Sequence, residues 1–402
     1  MTEIKKYQQE YICHRPWTSL DVNPVGEFRP CCIYNEPIKD DQGNNLSVHN
    51  STINDVINSN YMNNLRQEFL SGSKPKQCEA CWKEEAAGKK SQRMHIWEKP
   101  NFNLLGKYNI EKNINTLYDL TMRLGNICNL KCRICNEISS SQWSNEKIKE
   151  NKNNVATIDR LKKINRLGQW PRESVKYFKD LDSVLENIRF FEFTGGEPLL
   201  IEEQFSVLEK CIAARSAPKI EVHYNTNGTV YPDNAIKNIW PNFKRIELAF
   251  SIDDVDSRFE YQRHPAVWNN VKENIYKIKN AGMTNLSVQI CTTINVMNIL
   301  YLDEIEQFVK ELNPDFWHIN ILHEPTEFDV QRIPQEIKEK INNKFKNHTK
   351  SKEITVALDY MNNKNYNIIN WKQQLVEKLV NVDKIREEKF EKTFPELYSL
   401  IQ

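Results

Sequence analysis

From about residue 117 the chain alternates short β-rich runs with helical patterns, and this alternation restricts its fold more than any other feature of the sequence. The runs lie at 117–124, 188–194, 219–225, 245–252, 286–294 and 316–322. Helical spacing of apolar residues fills 140–165, 201–214, 233–240, 267–281 and 301–312. Strands separated by helices in this way make βα units and a parallel sheet. Six strands suffice for an open or partial barrel and are too few for a closed eight-stranded one. The expected fold is therefore α/β: a partial (βα)6 TIM-like barrel at 116–325. A small cysteine-rich domain at 1–95 and a connector at 96–115 precede it. A mainly helical extension at 326–402 follows.

Within the first 95 residues the sequence reads as irregular, with turn signals at Asn23-Pro24 and Asp41-Gln42-Gly43. One helix is expected near 51–71, where Ile53, Val56, Ile57, Met62, Leu65 and Phe69 recur at helical spacing. Beyond the last strand, 335–347 and 371–400 read as helices, and 351–365 favours neither helix nor strand.

Charge narrows the partners. Lysine plus arginine is 55 and aspartate plus glutamate is 54, a net charge of +1. Such a balance gives no reason to expect a nucleic-acid or anionic-lipid partner. No apolar run approaches the roughly 18 to 20 residues that span a bilayer. The opening MTEIKKYQQEY has no apolar stretch behind its lysines, so a secretory signal is not expected. The expected compartment is the cytoplasm. There, clustered cysteines read as metal or redox sites, not as disulfides.

Eight of the ten cysteines fall before residue 136. Cys128, Cys132 and Cys135 form a C-x3-C-x2-C run in the loop after the first β-rich segment of the alternating region. Closed structural zinc wants four ligands, and neither a histidine nor a fourth cysteine follows at finger spacing. A [4Fe–4S] cluster normally takes four cysteines, so three leave one iron open to a ligand. In βα folds ligands bind at the carboxyl ends of strands. Three further unusual loops sit at such ends: Gly195-Gly196-Glu197-Pro198, Asn225-Thr226-Asn227-Gly228 and Ser251-Ile252-Asp253-Asp254.

Taken with the six βα units, the cysteine run and the GGEP loop resemble the radical S-adenosylmethionine (SAM) enzyme superfamily. The resemblance covers about residues 117–325. It implies a [4Fe–4S] cluster on Cys128, Cys132 and Cys135 whose open iron takes the amino and carboxylate groups of SAM. It further implies reductive cleavage of SAM to a 5′-deoxyadenosyl radical, which abstracts a hydrogen atom from substrate. Cofactor contacts are implied for Gly195, Gly196, Glu197, Asn225, Ser251, Asp253 and Arg263. Glu197 would meet the methionyl ammonium, and Arg263 the carboxylate. Two departures stand out: Ile134 occupies a place usually aromatic, and Asp254 a place usually glycine.

The N-terminal cysteines form a second group. Gly26 to Cys31 is a G-x4-C element, followed by a helix and then Cys78-x2-Cys81. This resembles the SPASM and twitch auxiliary-cluster domains of the same superfamily, here placed before the barrel. The implied ligands of a second [4Fe–4S] cluster are Cys13, Cys31, Cys78 and Cys81. The alternative is a zinc site of four cysteines. Cys32, adjacent to Cys31, reads as a spare thiol, although the two could exchange roles. Cys211 reads as a small buried hydrophobe. Cys291, near the end of the fifth β-rich run, reads first as packing. Cys291 and Cys32 are also the candidate catalytic thiols.

The expected function is hydrogen abstraction from an unactivated carbon of a peptide or protein, with oxidation, crosslinking or epimerisation as outcome. The first alternative substrate is a carbohydrate-type small molecule. An alternative of another class is an iron–sulfur electron carrier or sensor without turnover. An electron donor such as flavodoxin or ferredoxin is the expected partner.

Overall fold

The computed structural model describes residues 11–86, 90–112, 114–364, 366 and 370–402. The amino-terminal decapeptide, which bears on the secretory-signal expectation, lies outside the described residues. Eight strands are formed: β1 (Ser19–Val22), β2 (Phe28–Arg29), β3 (Asp119–Arg123), β4 (Phe190–Thr194), β5 (Glu221–Thr226), β6 (Arg245–Ser251), β7 (Leu286–Ile294) and β8 (Phe316–Ile321). The last six coincide with the six β-rich runs, their ends differing by no more than two residues. The fold is α/β with a helical tail, as the alternation predicts. Among the described residues no helix is long and apolar enough to cross a membrane.

Contacts divide the chain into two units. The first comprises residues 1–128, 137–224 and 237–246. Its strands run in the order β2-β1-β3-β4-β5. β1 pairs antiparallel with β2 and parallel with β3, Ser19 lying opposite Asp119 and Asp21 opposite Thr121. β3 and β4 are parallel with Thr121 opposite Glu192, and β4 and β5 with Glu192 opposite His223. Two strands precede the six β-rich runs: β1, whose Leu20-Asp21-Val22 reads as strand-like in the sequence, and the two-residue β2, which is too short for any alternation to show.

The two faces of these strands differ in kind. Leu20, Val22, Leu120, Met122, Phe191, Phe193, Val222 and Tyr224 are fully buried on one face. The other carries Asp21, Thr121, Glu192 and His223 in one register row. Successive strand side chains point to opposite faces, so this separation follows from the sequence period of two. An apolar layer on one face is ordinary burial, whereas the polar row needs hydrogen-bond partners. Thr121 Oγ1 donates to Glu192 Oε2 at 3.2 Å, and Arg123 Nε lies 3.4 Å from Asp21 Oδ1.

The expected helix at 51–71 is two helices, Ile53–Ile57 and Asn60–Leu70. Ser59 breaks the run, because its side chain accepts from Met62 N and caps the second helix. Thr52 and Asp55 make a capping box for the first. The connector segment 96–115 takes in the end of the helix Gln92–Glu98 and all of the helix Pro100–Lys112.

The second unit comprises residues 129–136, 225–236 and 247–402. It holds most of β6 together with β7 and β8. β7 and β8 are parallel with Cys291 opposite His318 and Thr293 opposite Asn320. The segment 351–365 resolves into a helix, Lys352–Asn363, whose cap Ser351 accepts from Ile354 N. The stretch 371–400 is three helices, not one. The first ends at Arg386, where Glu387 turns left-handed at φ 57°, and Pro395 opens the last.

Candidate functional site

Four of the predicted ligands come together in the first unit. Cys13, Cys31, Cys78 and Cys81 line one cavity, with Ile33, Tyr34, Phe69, Arg15 and Arg93 completing much of its wall. Cys78 precedes and Cys81 lies within the helix Glu79–Ala86, so one short turn delivers two sulfurs. Cys31 follows β2 closely. Cys32 is not among the lining residues; its carbonyl instead accepts from Arg123 Nη2 at 2.5 Å. Burial pushes the Cys13 thiol up to about 11 and the Cys31 thiol up to about 12. Four soft sulfurs in a largely apolar pocket are a donor set suited to iron–sulfur or zinc. All ten cysteines are free thiols. As they stand, no three His, Cys, Asp or Glu side chains among the described residues are grouped closely enough to hold a single metal ion.

The same unit carries the GGEP loop at the end of β4. Gly195 has φ +119°. A Cβ on Gly195 would sit 2.6 Å from Leu124 N, and one on Gly196 would sit 2.2 Å from Ile127 O. The close approach that demands glycine is thus to the backbone leading into the cysteine run. Gly196 N donates to Gly125 O at 3.1 Å and Glu197 N to Ile127 O at 2.8 Å, which joins the two loops. Glu197 is 1% exposed, and its Oε1 accepts from Leu199 N at 3.1 Å.

In the second unit the cysteine loop is held from two sides. Asn227 Nδ2 donates to Asn129 Oδ1 at 3.0 Å, and Asn129 Nδ2 donates to Thr229 Oγ1 at 2.8 Å. Lys131 N donates to His264 O and Arg133 N to Gln262 O, both at 2.8 Å. These two backbone bonds set Arg263 against the loop, where its Nη1 donates to Cys132 Sγ at 3.9 Å. Arg133 turns the other way. Its guanidinium stacks on Tyr261 at 3.5 Å and meets Asp383 and Glu388, each at 2.5 Å. Arg133 sits inside the cysteine run, but nothing in the sequence singles it out. Its partners are about 250 residues away, and no local pattern reveals them.

Arg263 Nη2 also pairs with Asp253 Oδ2 at 2.6 Å, and Asp253 Oδ1 accepts from Thr293 N at 2.8 Å. Both Asp253 oxygens are therefore engaged by the protein. Asp254, in the place usually glycine, is likewise engaged: Arg258 Nε lies 3.0 Å from Oδ1 and Gln262 Nε2 donates to Oδ2 at 2.9 Å. Burial pushes its carboxyl up to about 7, against the pull of Arg258. Asn225 and Ser251 lie at the ends of β5 and β6, both partly exposed. Cys291 is 5% exposed, as packing requires, yet Asn320 Nδ2 donates to its sulfur at 3.1 Å. Burial raises its thiol to about 12, with Asp253 adding and Arg263 opposing. Cys291 thus belongs with the Asp253–Arg263 group, while Cys211 is fully buried in the helix Glu202–Ala213.

A sulfur-lined cavity and a three-cysteine loop at a strand end, in a βα chain, offer donors of the kind that iron–sulfur clusters or zinc take. Comparison with known proteins agrees: residues 122–312 match the radical SAM superfamily, and residues 13–82 match an iron–sulfur cluster-binding domain of the SPASM type. The chain carries a radical SAM superfamily region and, on its amino-terminal side, a SPASM region. Members of this superfamily are enzymes, and the two regions imply [4Fe–4S] and SAM binding. No curated protein matches the sequence. Among solved structures, native anSMEcpe with bound AdoMet is similar at 18% identity, covering 65% of this chain and 66% of that one, with a TM-score of 0.38. SuiB of Streptococcus suis bound to the precursor peptide SuiA is similar at 13% identity, covering 78% and 60%, with a TM-score of 0.36. TYW1 with a lysine-pyruvate adduct bound is similar at 13%, covering 56% and 72%, with a TM-score of 0.32. The chain thus spans just under two thirds of the length of anSMEcpe and less of SuiB.

Proposed function

We propose that this chain uses SAM and two [4Fe–4S] clusters to abstract a hydrogen atom from a peptide or protein and then oxidise, crosslink or epimerise it. The observation that carries the two-cluster reading is the convergence of Cys13, Cys31, Cys78 and Cys81 on one cavity, separate in sequence from Cys128, Cys132 and Cys135. Four sulfurs close one site and three leave the other open. When bound at the open site, SAM supplies the radical chemistry on one-electron reduction. The protein's own part is to hold and orient. In this reading Glu197 offers a buried carboxylate to the methionyl ammonium. Arg263, steadied by Asp253, presents a cation beside Cys132. In the first unit the backbone of Gly195 and Gly196 would contact the cofactor, and in the second unit Asn225 and Ser251, at strand ends, would do so. Functionally, 1–95 is the auxiliary region, 96–115 the connector, 116–325 the catalytic region and 326–402 the extension. The proposed compartment is the cytoplasm, with flavodoxin or ferredoxin as electron donor.

A second reading has its own observation. The row Asp21, Thr121, Glu192 and His223 presents polar groups where a packed βα core would be apolar. Such a face suits a carbohydrate-type small molecule. Anaerobic reconstitution with iron and sulfide, then dithionite and SAM, tests the shared core of both readings by 5′-deoxyadenosine formation. A protein that takes up iron but never forms it is an electron carrier or sensor.

A further inference from the structure

The four-cysteine cavity has two arginines in its wall, and they differ in how their charge is spent. Arg93 makes a forked pair with Glu85, Nε to Oε1 at 2.9 Å and Nη2 to Oε2 at 2.6 Å. That carboxylate offsets its charge at close range. Arg15 is two residues from Cys13, and its side chain is 12% exposed. Among the described residues its sole ion pair is a looser one: Nη1 lies 3.3 Å from Asp119 Oδ2 on β3, and its Nε has no hydrogen-bond partner. Asp119 does not line the cavity. Arg15 therefore stands as a largely buried, permanently charged guanidinium in the cavity wall, and its one ion pair among the described residues goes to a carboxylate that does not line the cavity.

We propose that Arg15 sets the reduction potential of the cluster held by Cys13, Cys31, Cys78 and Cys81, with Asp119 as its counterweight. The proposal rests on the reading of those cysteines as [4Fe–4S] ligands. Reduction adds one electron to the cluster and takes up no other group. The added negative charge arises beside a fixed positive one. Charges interact strongly at short range where water is excluded. Arg15 thus favours the reduced form and makes the cluster a better electron acceptor. Asp119 opposes it, so loss of its charge strengthens the effect. The arrangement gives the auxiliary site a role as an electron sink for a substrate radical, beyond a structural staple.

The test uses the full chain carrying Cys128→Ala, Cys132→Ala and Cys135→Ala, so that one cluster remains. It is reconstituted anaerobically and titrated potentiometrically, with the reduced cluster followed by electron paramagnetic resonance. Arg15→Gln should move the midpoint to lower potential, and Asp119→Asn to higher potential. Each shift should change the oxidised-to-reduced ratio at fixed potential by about tenfold, roughly 59 mV for a one-electron couple. Arg15→Lys should stay near the parent. Opposite signs are the signature of charge, because general loosening of the cavity would move both variants the same way. Midpoints unchanged in both Arg15→Gln and Asp119→Asn, or shifted in the same direction, overturn the proposal. If Arg15→Gln takes up no iron, the sign of the Asp119→Asn shift decides. A triple-alanine parent without iron overturns the cluster reading itself, and the proposal with it.

Discussion

Arg263 reaches Asp253 with one terminal nitrogen, at 2.6 Å, and Cys132 with the other, at 3.9 Å. One guanidinium therefore ties the end of the β6 loop to the middle cysteine of the run. The pair is buried, its side chains 10% and 1% exposed. Asp253→Asn should strand the arginine and destabilise the protein by about 3 to 5 kcal/mol. Asp253→Asn with Arg263→Gln should recover a good part of that loss. Denaturant midpoints at constant slope check both, and equal midpoints for wild type and Asp253→Asn would remove the pair from the stability account.

Iron content separates the two cysteine groups. Changing Cys128, Cys132 and Cys135 together to alanine should remove about half the iron and all 5′-deoxyadenosine formation, since the open iron belongs to the three-cysteine site. Cys31→Ala should remove the other half, and Cys32→Ala should remove none, because Cys32 does not line the cavity. Reversed iron counts for the two neighbours would exchange their roles.

Arg133 is the anchor of the cysteine loop. Arg133→Ala leaves Asp383 and Glu388 without their shared cation and takes the stacked plane from Tyr261. The expected result is loss of iron from the three-cysteine site with the four-cysteine site still loaded. Spectroscopic quantification of the two clusters in the variant would show it; loss from both in equal measure would point to global unfolding instead.

Asp254 predicts a pH signature. Its carboxyl titrates near 7 in the fold, because burial disfavours the charge more than Arg258 favours it. In the unfolded chain it titrates near about 4. Between those values the folded state holds the extra proton, so this residue's contribution to stability falls as pH rises from about 4 to about 7. Asp254→Asn removes that slope. The difference in unfolding free energy between wild type and variant should therefore shift in the variant's favour as pH rises through this window. A difference that stays flat across the window would refute the assignment.

Variants of Cys291 and Cys32 distinguish the proposed fates of the substrate radical. Transfer of an electron to the auxiliary site needs neither thiol, so Cys291→Ala and Cys32→Ala should both keep product formation, without solvent deuterium at the modified carbon. Deuterium in product, with turnover lost in one variant, would make that thiol the hydrogen donor and the reaction an epimerisation.

The sequence was most informative where period or spacing is local. Strand β7 was legible to the residue, because nine residues of LSVQICTTI sit between clear turns. The Cys78–Cys81 pair and the run from Cys128 to Cys135 were legible for the same reason. What escaped were relationships over long separations. Strand β1 has four residues and finds its partner in β3. Arg133 finds Asp383 and Glu388 at the far end of the chain. The close approach of the GGEP glycines to the backbone of 123–127 is likewise a contact that spacing alone does not reveal. Asp254 looked like a flaw in a motif and is held by Arg258 and Gln262.

The pairing of β1 with β3 carries a consequence for how the chain is made. Ser19 meets Asp119, so the strand beside the four cysteines has no parallel partner to join until about a hundred residues more have left the ribosome. Pairing across such a separation is entropically slow, and domains generally form as units during synthesis. β2 alone can pair with β1 in the meantime, and two short strands are marginal in water. The nascent amino-terminal segment therefore waits as an open, thiol-bearing chain. On the proposed cluster reading, iron and sulfide delivered in that interval would meet accessible cysteines; delivered later, they would have to enter a folded cavity whose wall includes Phe69 and Tyr34.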